Sequence, residues 1–281
     1  MAKLFHRTYR LQVDTLVVDQ LRVVFKIEKS VSKHPNKAEI QIYNLSEDSR
    51  KRTQKLNAQV TLDAGYPDTV ARIFTGKASK VSHVRAGGDW ITKIICGDGE
   101  HEIRSFRISE SMGPGSTVVD ILKKAAGAMN VREGNLLTEL GKGDFAKGLF
   151  DASNGKVLNG LASNELDKVL KSIGYTWSIQ DGALQLLKPG TATTQPTILL
   201  DSGSGLIGSP EYGETGKDKH LILKAKCLLN PGLVPGRKLQ LKSETKDGYF
   251  VVSKVVFTGD SIGGGSPWYS ELELLKLATS N

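Results

Sequence analysis

The side chains with the means for chemistry in this 281-residue chain are two cysteines, five histidines, two close-set glutamates and a few glycine-rich loops. A cysteine attacks only as a thiolate held beside a base, and Cys/His pairs are normally assembled from distant positions. Cys96 has His101 close by in sequence, but it alternates with apolar partners in ITKIIC; Cys227 lies inside LILKAKCLL. Neither belongs to a CxxC pair, so both read as buried strand thiols of a protein made in a reducing cytoplasm. The histidines at 6, 34, 83, 101 and 220 form no HxH, HxxxH or HExxH pair, so no metal site is expected. GPGST (113–117) precedes a helical pattern and would suit an anion. It lacks the Gly-Lys-Ser/Thr ending of a phosphate loop and reads as a capped turn. GKGDFAKG (141–148) has the glycines of a dinucleotide loop at the wrong spacing, with no strand leading in. DSGSGLIG is not GxSxG, and no helix follows. Glu271 and Glu273 share one strand face, whereas a glycosidase needs carboxylates facing each other across a cleft. No catalytic, cofactor-binding or metal residues are expected, and the chain is not read as an enzyme.

Composition is that of a globular protein: 39% apolar and 24% charged residues are ordinary for such a chain. No run of 18 apolar residues exists, so no membrane span is expected. The N-terminus, MAKLFHRTYRLQV, has no apolar core followed by small residues, so no secretory signal is expected. Net charge is +8, and the excess lies early: residues 1–105 carry 18 basic against 12 acidic groups, while 106–190 and 191–281 each carry 10 against 9. A basic patch can address nucleic acid. Here Arg50, Lys51, Arg52 and Lys55 follow Ser46, Glu47 and Asp48. An N-cap, then acid, then base is the order of a short solvated helix.

Residues 8–28 alternate and read as a half-buried strand, with Val23, Phe25 and Ile27 on one face. AEIQIYNL, VTLDAG and the stretch from ARIFTGK onward continue a meander of short antiparallel strands. The texture then changes. Thr117, with Asp120 three residues on, opens one helix, and Leu158 to Ile173 form another that Gly174 ends. Asp181-Gly182 turns a hairpin. From TILLDSGSG the pattern is again all β. The fold class is mainly β with an α+β insert: two similar antiparallel β-barrel or sandwich modules (1–105 and 191–281) flank a small helix-containing module (106–190).

The two β segments share a hairpin. SKVSHVRAGGDWITKIIC begins at residue 79 and SKVVFTGDSIGGGSPWYSELELL at 253. Each opens Ser-Lys-Val, passes a glycine turn and restarts at a Trp. Trp90, Trp268, Val81 and Val255 are therefore the expected core anchors of the two modules. A duplicated module changes the symmetry available to an oligomer: three such chains present six similar modules around one axis.

IYNLSEDSRKR, IFTGKASKV, GLIGSPE, LLNPGLVPGRKLQL and GDSIGGGSPWYSELELL, in that order, resemble the baseplate hub protein of contractile-tailed bacteriophages and of phage-derived contractile injection machines. They span most of the chain; the middle module matches by layout. The resemblance implies a homotrimeric structural ring of pseudo-six-fold symmetry that extends the hexameric tail tube and seats the central spike protein. Its channel would pass DNA during genome ejection, and the tape-measure protein would end nearby. Other baseplate proteins would be partners, and the spike would be a separate chain. The implied location is the virion tail baseplate, assembled in the host bacterial cytoplasm, with no cofactor and no membrane insertion by this chain. Hairpins Ser79–Ile95 and Ser253–Leu274 are the expected tube wall. A net basic chain departs from the neutral or acidic lining that suits a DNA conduit, so its basic excess is expected on the outer surface. A tail-associated wall-degrading enzyme and a basic nucleic-acid-binding module stay open as alternatives.

Overall fold

Alternating burial shapes most of the strands, as in VVFKIEKS, where every second side chain is buried. The structure, a computed structural model, describes residues 6–140, 155–215 and 220–277. Strands β1 (Thr8–Val13), β2 (Leu16–Val18), β3 (Val23–Ser30) and β4 (Asn36–Tyr43) lead to helix α1 (Glu47–Thr53), then β5 (Gln59–Gly65), β6 (Ala71–Ala86) and β7 (Asp89–Asp98). Next come α2 (Glu100–Ser105), β8 (Arg107–Met112), α3 (Val118–Ala128), α4 (Leu136–Leu140), β9 (Lys156–Leu161), α5 (Ala162–Ser172), β10 (Thr176–Gln180) and β11 (Ala183–Leu187). The chain ends with β12 (Ile198–Leu200), β13 (Leu206–Thr215), β14 (His220–Leu228), β15 (Lys238–Lys242), β16 (Asp247–Asp260) and β17 (Trp268–Lys276).

Residues 8–28 are not one strand. Asp14, at φ 53°, turns the chain after β1 so that β2 folds back on it, and β3 starts afresh at Val23. A 3.6-versus-2 periodicity test cannot see such a turn, because the alternation resumes on its far side.

Chain contacts give two compact units, not three modules: Met1–Ser30, Lys37–Gly97 and Gly190–Asn281 form one, Val31–Asn36 and Asp98–Pro189 the other. The first and last thirds of the sequence thus share a unit and one hydrophobic core that runs from Leu11 to Leu274. Its 13-stranded sheet follows the path β13-β14-β17-β16-β3-β4-β7-β6-β5-β1-β2, with β15 on β16 and β12 on β15. The path contains one run twice. From the N-terminal half it reads β3-β4-β7-β6-β5-β1; from the C-terminal half, β13-β14-β17-β16-β15-β12. The last strands differ in sense: β1 is antiparallel to β5, β12 parallel to β15. The halves meet where Lys254–Asp260 of β16 pairs antiparallel with β3.

The other unit holds its own core around Ile121, Leu122, Leu166 and Leu170. Thr117 and Asp120 form the reciprocal cap at the start of α3. Asp181 (φ 52°) and Gly182 (φ 74°) turn the β10–β11 hairpin, and the buried Asp98 carboxylate accepts both their amides at 2.7 and 2.9 Å.

Candidate assembly interface

Both Ser-Lys-Val segments are bulges in long strands. The β6–β7 register slips between Ala78 and Lys80, and the β16–β17 register between Val252 and Lys254. Each leaves one serine unpaired. Ser79 Oγ donates to Ile95 O at 3.1 Å, and Ser253 Oγ donates to Glu273 O at 2.8 Å. Beyond the bulge Val81 faces Ile94 and Val255 faces Leu272, and four residues further Arg85 faces Trp90 and Gly259 faces Trp268. The flanking strands lock on identically. Ala78 N donates to Ala58 O as Val252 N does to Arg237 O, and Asn44 N donates to Trp90 O as Leu229 N does to Trp268 O.

The four expected anchors separate on burial. Val255 is fully buried and Val81 is half-buried against the same core. Trp268 is 4% exposed, edge-on to Phe25 at 5.4 Å between centroids, with Nε1 donating to Gly65 O at 3.3 Å. Trp90 corrects the expectation: it is 37% exposed, and Arg50 lies over its ring at 4.3 Å. The cause is the neighbouring strand. β3 pairs with the edge of β16 away from β17, and Trp268 reaches Phe25 across Gly259, which has no side chain. Among the described residues no strand pairs with Lys80–Ala86 of β6 on the corresponding edge.

The solvent face of the sheet carries a charge ladder. Reading across paired strands, Lys224 faces Glu273, which faces Lys254; Lys226 faces Glu271; Glu28 faces Lys37; and Lys26 faces Glu39. Lys254 closes on Glu28 at 2.7 Å across the seam between the halves. Opposite charges on facing strands favour this register and leave the face close to neutral. The basic run on α1 is engaged separately: Lys51 pairs with Glu47 at 2.8 Å, Lys55 with Asp14 at 3.0 Å, and Arg52 donates to Thr15 at 3.0 Å.

A second charge pair pins the end of the seam. Arg22 Nη2 meets Asp260 Oδ2 at 2.7 Å, and the Asp260 carboxyl is 7% exposed. Burial pushes that carboxyl up, but hydrogen bonds from Arg22 and the Ile262 amide outweigh it and hold it below the usual carboxylate range.

Among the described residues, none of the candidate chemical groups forms a reacting set. Burial pushes both Cys96 and Cys227 up to about 12, so neither thiol ionises near neutrality. Among the described residues, no group of three or more His, Cys, Asp or Glu side chains could hold a metal ion. His101 meets Ser105 and the Phe106 ring. Asp201 and Ser204 of DSGSG cap a single 3-10 turn. The loop 141–148 lies outside the described residues.

The family model "Baseplate hub gp41" matches residues 6–261. The chain belongs to that family of phage baseplate hubs. Among solved structures, this hub is similar to the 43 kDa tail protein of prophage MuSo2 from Shewanella oneidensis, with a TM-score of 0.67 at 8% identity over 96% of this chain and 97% of that one. It is similar also to the tail protein from Neisseria meningitidis MC58, with a TM-score of 0.64 at 12% identity over 96% of both chains. The Escherichia coli c3393 protein, a component of a type VI secretion system, matches with a TM-score of 0.56 at 10% identity over 96% of this chain and 77% of that one. At such identities the likeness shows the shared fold. No curated protein matches the hub by sequence.

Proposed function

We propose that this hub acts as a structural adaptor: three copies close a ring of six similar halves that joins the hexameric tail tube to the central spike. The observation that carries this reading is the strand run repeated within one sheet, with its two equivalent serine bulges. A chain holding two equivalent halves lets a three-fold object match a six-fold one without a second gene product. Family membership supports the placement in a tail baseplate, and the likeness to the c3393 protein, itself similar in structure to the phage T4 tail proteins gp27 and gp5, agrees with a tail component.

In this reading the hub is a scaffold and not a catalyst. The strands of the two bulged hairpins form the wall of the channel that passes DNA. The Lys/Glu ladder is the face turned to the channel. Its alternation offsets the chain's net +8 locally, so phosphate meets no uninterrupted basic surface there. Assembly takes place in the host cytoplasm, with the tape-measure protein and other baseplate proteins as neighbours.

Light scattering of the purified chain, alone and with the spike protein from the same tail, tests the ring. Three chains per particle, six-lobed with a central hole in negative stain, is the expected result. A chain that stays monomeric even with its spike overturns it.

A further inference from the structure

We infer that Lys80–Ala86 of β6 pairs antiparallel with β13 of a second copy of this chain, with Val84 opposite Glu211 and His83 opposite Tyr212. The inference rests on the ring reading and specifies its seam. The internal junction supplies the template. There β16 pairs with β3, Thr258 facing Lys26 and Phe257 facing Ile27. Val81 and Val255 are equivalent, so Val84 stands for Thr258 and His83 for Phe257. Asn44 and Leu229 are equivalent, so Lys224 stands for Glu39. Glu211, which faces Lys224, therefore stands for Lys26, which faces Glu39; Tyr212 stands for Ile27.

Two further observations agree. The first is backbone. Among the described residues, Lys80–Ala86 have β7 on one side and no strand on the other, and β13 has only β14. Those are the two edges that the template would join, and an unpaired edge is a ready partner for another strand. The second is exposure. Trp90 is 37% exposed where its equivalent Trp268 is 4%, and Tyr212 is 50% exposed where its equivalent Ile27 is 0%. Val84 and Ile207 lie exposed on the same two edges. Trp268 and Ile27 are buried at the internal seam, and their counterparts Trp90 and Tyr212 are left open.

The two seams differ in chemistry. Gly213 stands where Glu28 does, so the Lys254–Glu28 ion pair has no counterpart, and His83 replaces the buried Phe257. The β13 register shifts between Ile207 and Glu211, across Gly208 (φ 68°) and Pro210, so the stretch of β13 that can continue in register with β6 is short and begins at Glu211. The seam between copies is thus shorter and less apolar than the seam within the chain, and it opens first.

A cysteine trap tests the register. Ser261 N donates to Val23 O at 3.0 Å, which makes Thr258 and Lys26 a non-hydrogen-bonded pair, the closer kind. Val84→Cys with Glu211→Cys should inherit that geometry and accept a disulfide. Mild oxidation should give two- and three-chain species and nothing larger, roughly tenfold more than the control Lys80→Cys with Glu211→Cys, displaced by four residues. Native Cys96 and Cys227 are buried, and a wild-type lane checks that they stay silent. A trimer by light scattering without this cross-link overturns the seam and leaves the ring. A ladder beyond three chains keeps the seam and overturns the three-fold ring. Preference for the control overturns the register. A chain that neither associates nor cross-links at any concentration, with its spike present, overturns both.

Discussion

Ser79 and Ser253 occupy one structural position 174 residues apart. Each sits in a bulge, and each donates its hydroxyl to the carbonyl of the residue that faces the next lysine. A bulge leaves a carbonyl on the partner strand out of the ladder, and a serine is short enough to answer it. Ser253→Ala should cost about 0.5–1.5 kcal/mol, the usual worth of one hydrogen bond. Ser79→Ala should cost less, because water reaches the exposed Ile95 carbonyl once the hydroxyl is gone. Urea unfolding of the two variants checks the order; a larger loss at Ser79 would contradict it.

The tryptophans should behave unequally in the isolated chain. Trp268→Ala empties a buried site against Phe25 and drops an indole hydrogen bond, so about 3–5 kcal/mol should go. Trp90→Ala removes a ring that is already partly in water and should cost about 1 kcal/mol or less. Equal shifts in the urea midpoint would mean that Trp90 is as enclosed as its partner.

Gly259 is held to glycine by its neighbours. A Cβ there would stand 2.2 Å from Phe25 Cζ and 2.8 Å from Trp268 Cε3, so both rings must move. Gly259→Ala should destabilise by about 1–3 kcal/mol or more, an overpacking cost. Arg85, at the equivalent place beside Trp90, is exposed, and Arg85→Ala should leave the monomer's unfolding midpoint unchanged.

These contrasts show what could be read from the residues alone. Ser46 and Thr117 announce their helices because capping is local chemistry, and Asp181-Gly182 announces its turn for the same reason. The hairpin repeat is legible because the bulge demands a small hydroxyl residue at one place and the glycine turns demand positive φ. Burial at Trp90 was not legible. Its sequence surroundings match those of Trp268, and the difference is made by β3, a strand more than 200 residues away from β16 that pairs with only one of the two hairpins. The merging of the β segments into one sheet was hidden for the same reason. Alternation reports which face of a strand is buried and says nothing about which strand lies beside it.

Both thiols should be silent in the native chain. With Cys96 and Cys227 pushed up to about 12, only about one molecule in ten thousand carries a thiolate at pH 8. A thiol-specific chromophore should therefore release two equivalents per chain in denaturant and essentially none before it. Rapid labelling of the folded protein would place one cysteine in a mobile or solvated setting.

The Arg22–Asp260 pair should make the seam within the chain acid-sensitive. The folded Asp260 carboxyl titrates below the usual value, so the fold binds the charged form better than the unfolded chain does. The resulting stabilisation is fully present above the unfolded carboxylate value of about 3.9, and it is lost as pH falls through the lower folded value. Wild type should exceed Asp260→Asn by about 1–3 kcal/mol at pH 7, since the carboxylate serves a charged partner from a mostly buried site. The gap should narrow once pH drops below about 4, where the wild-type carboxyl begins to protonate in the unfolded chain. Asp120 and Asp167 are also held low, so the raw acid sensitivity of wild type belongs to several groups. The difference between wild type and Asp260→Asn isolates this one. A gap that stays constant from pH 7 to pH 2 would mean that Asp260 contributes through its shape and neutral hydrogen bonds, and that its charge does not hold the seam.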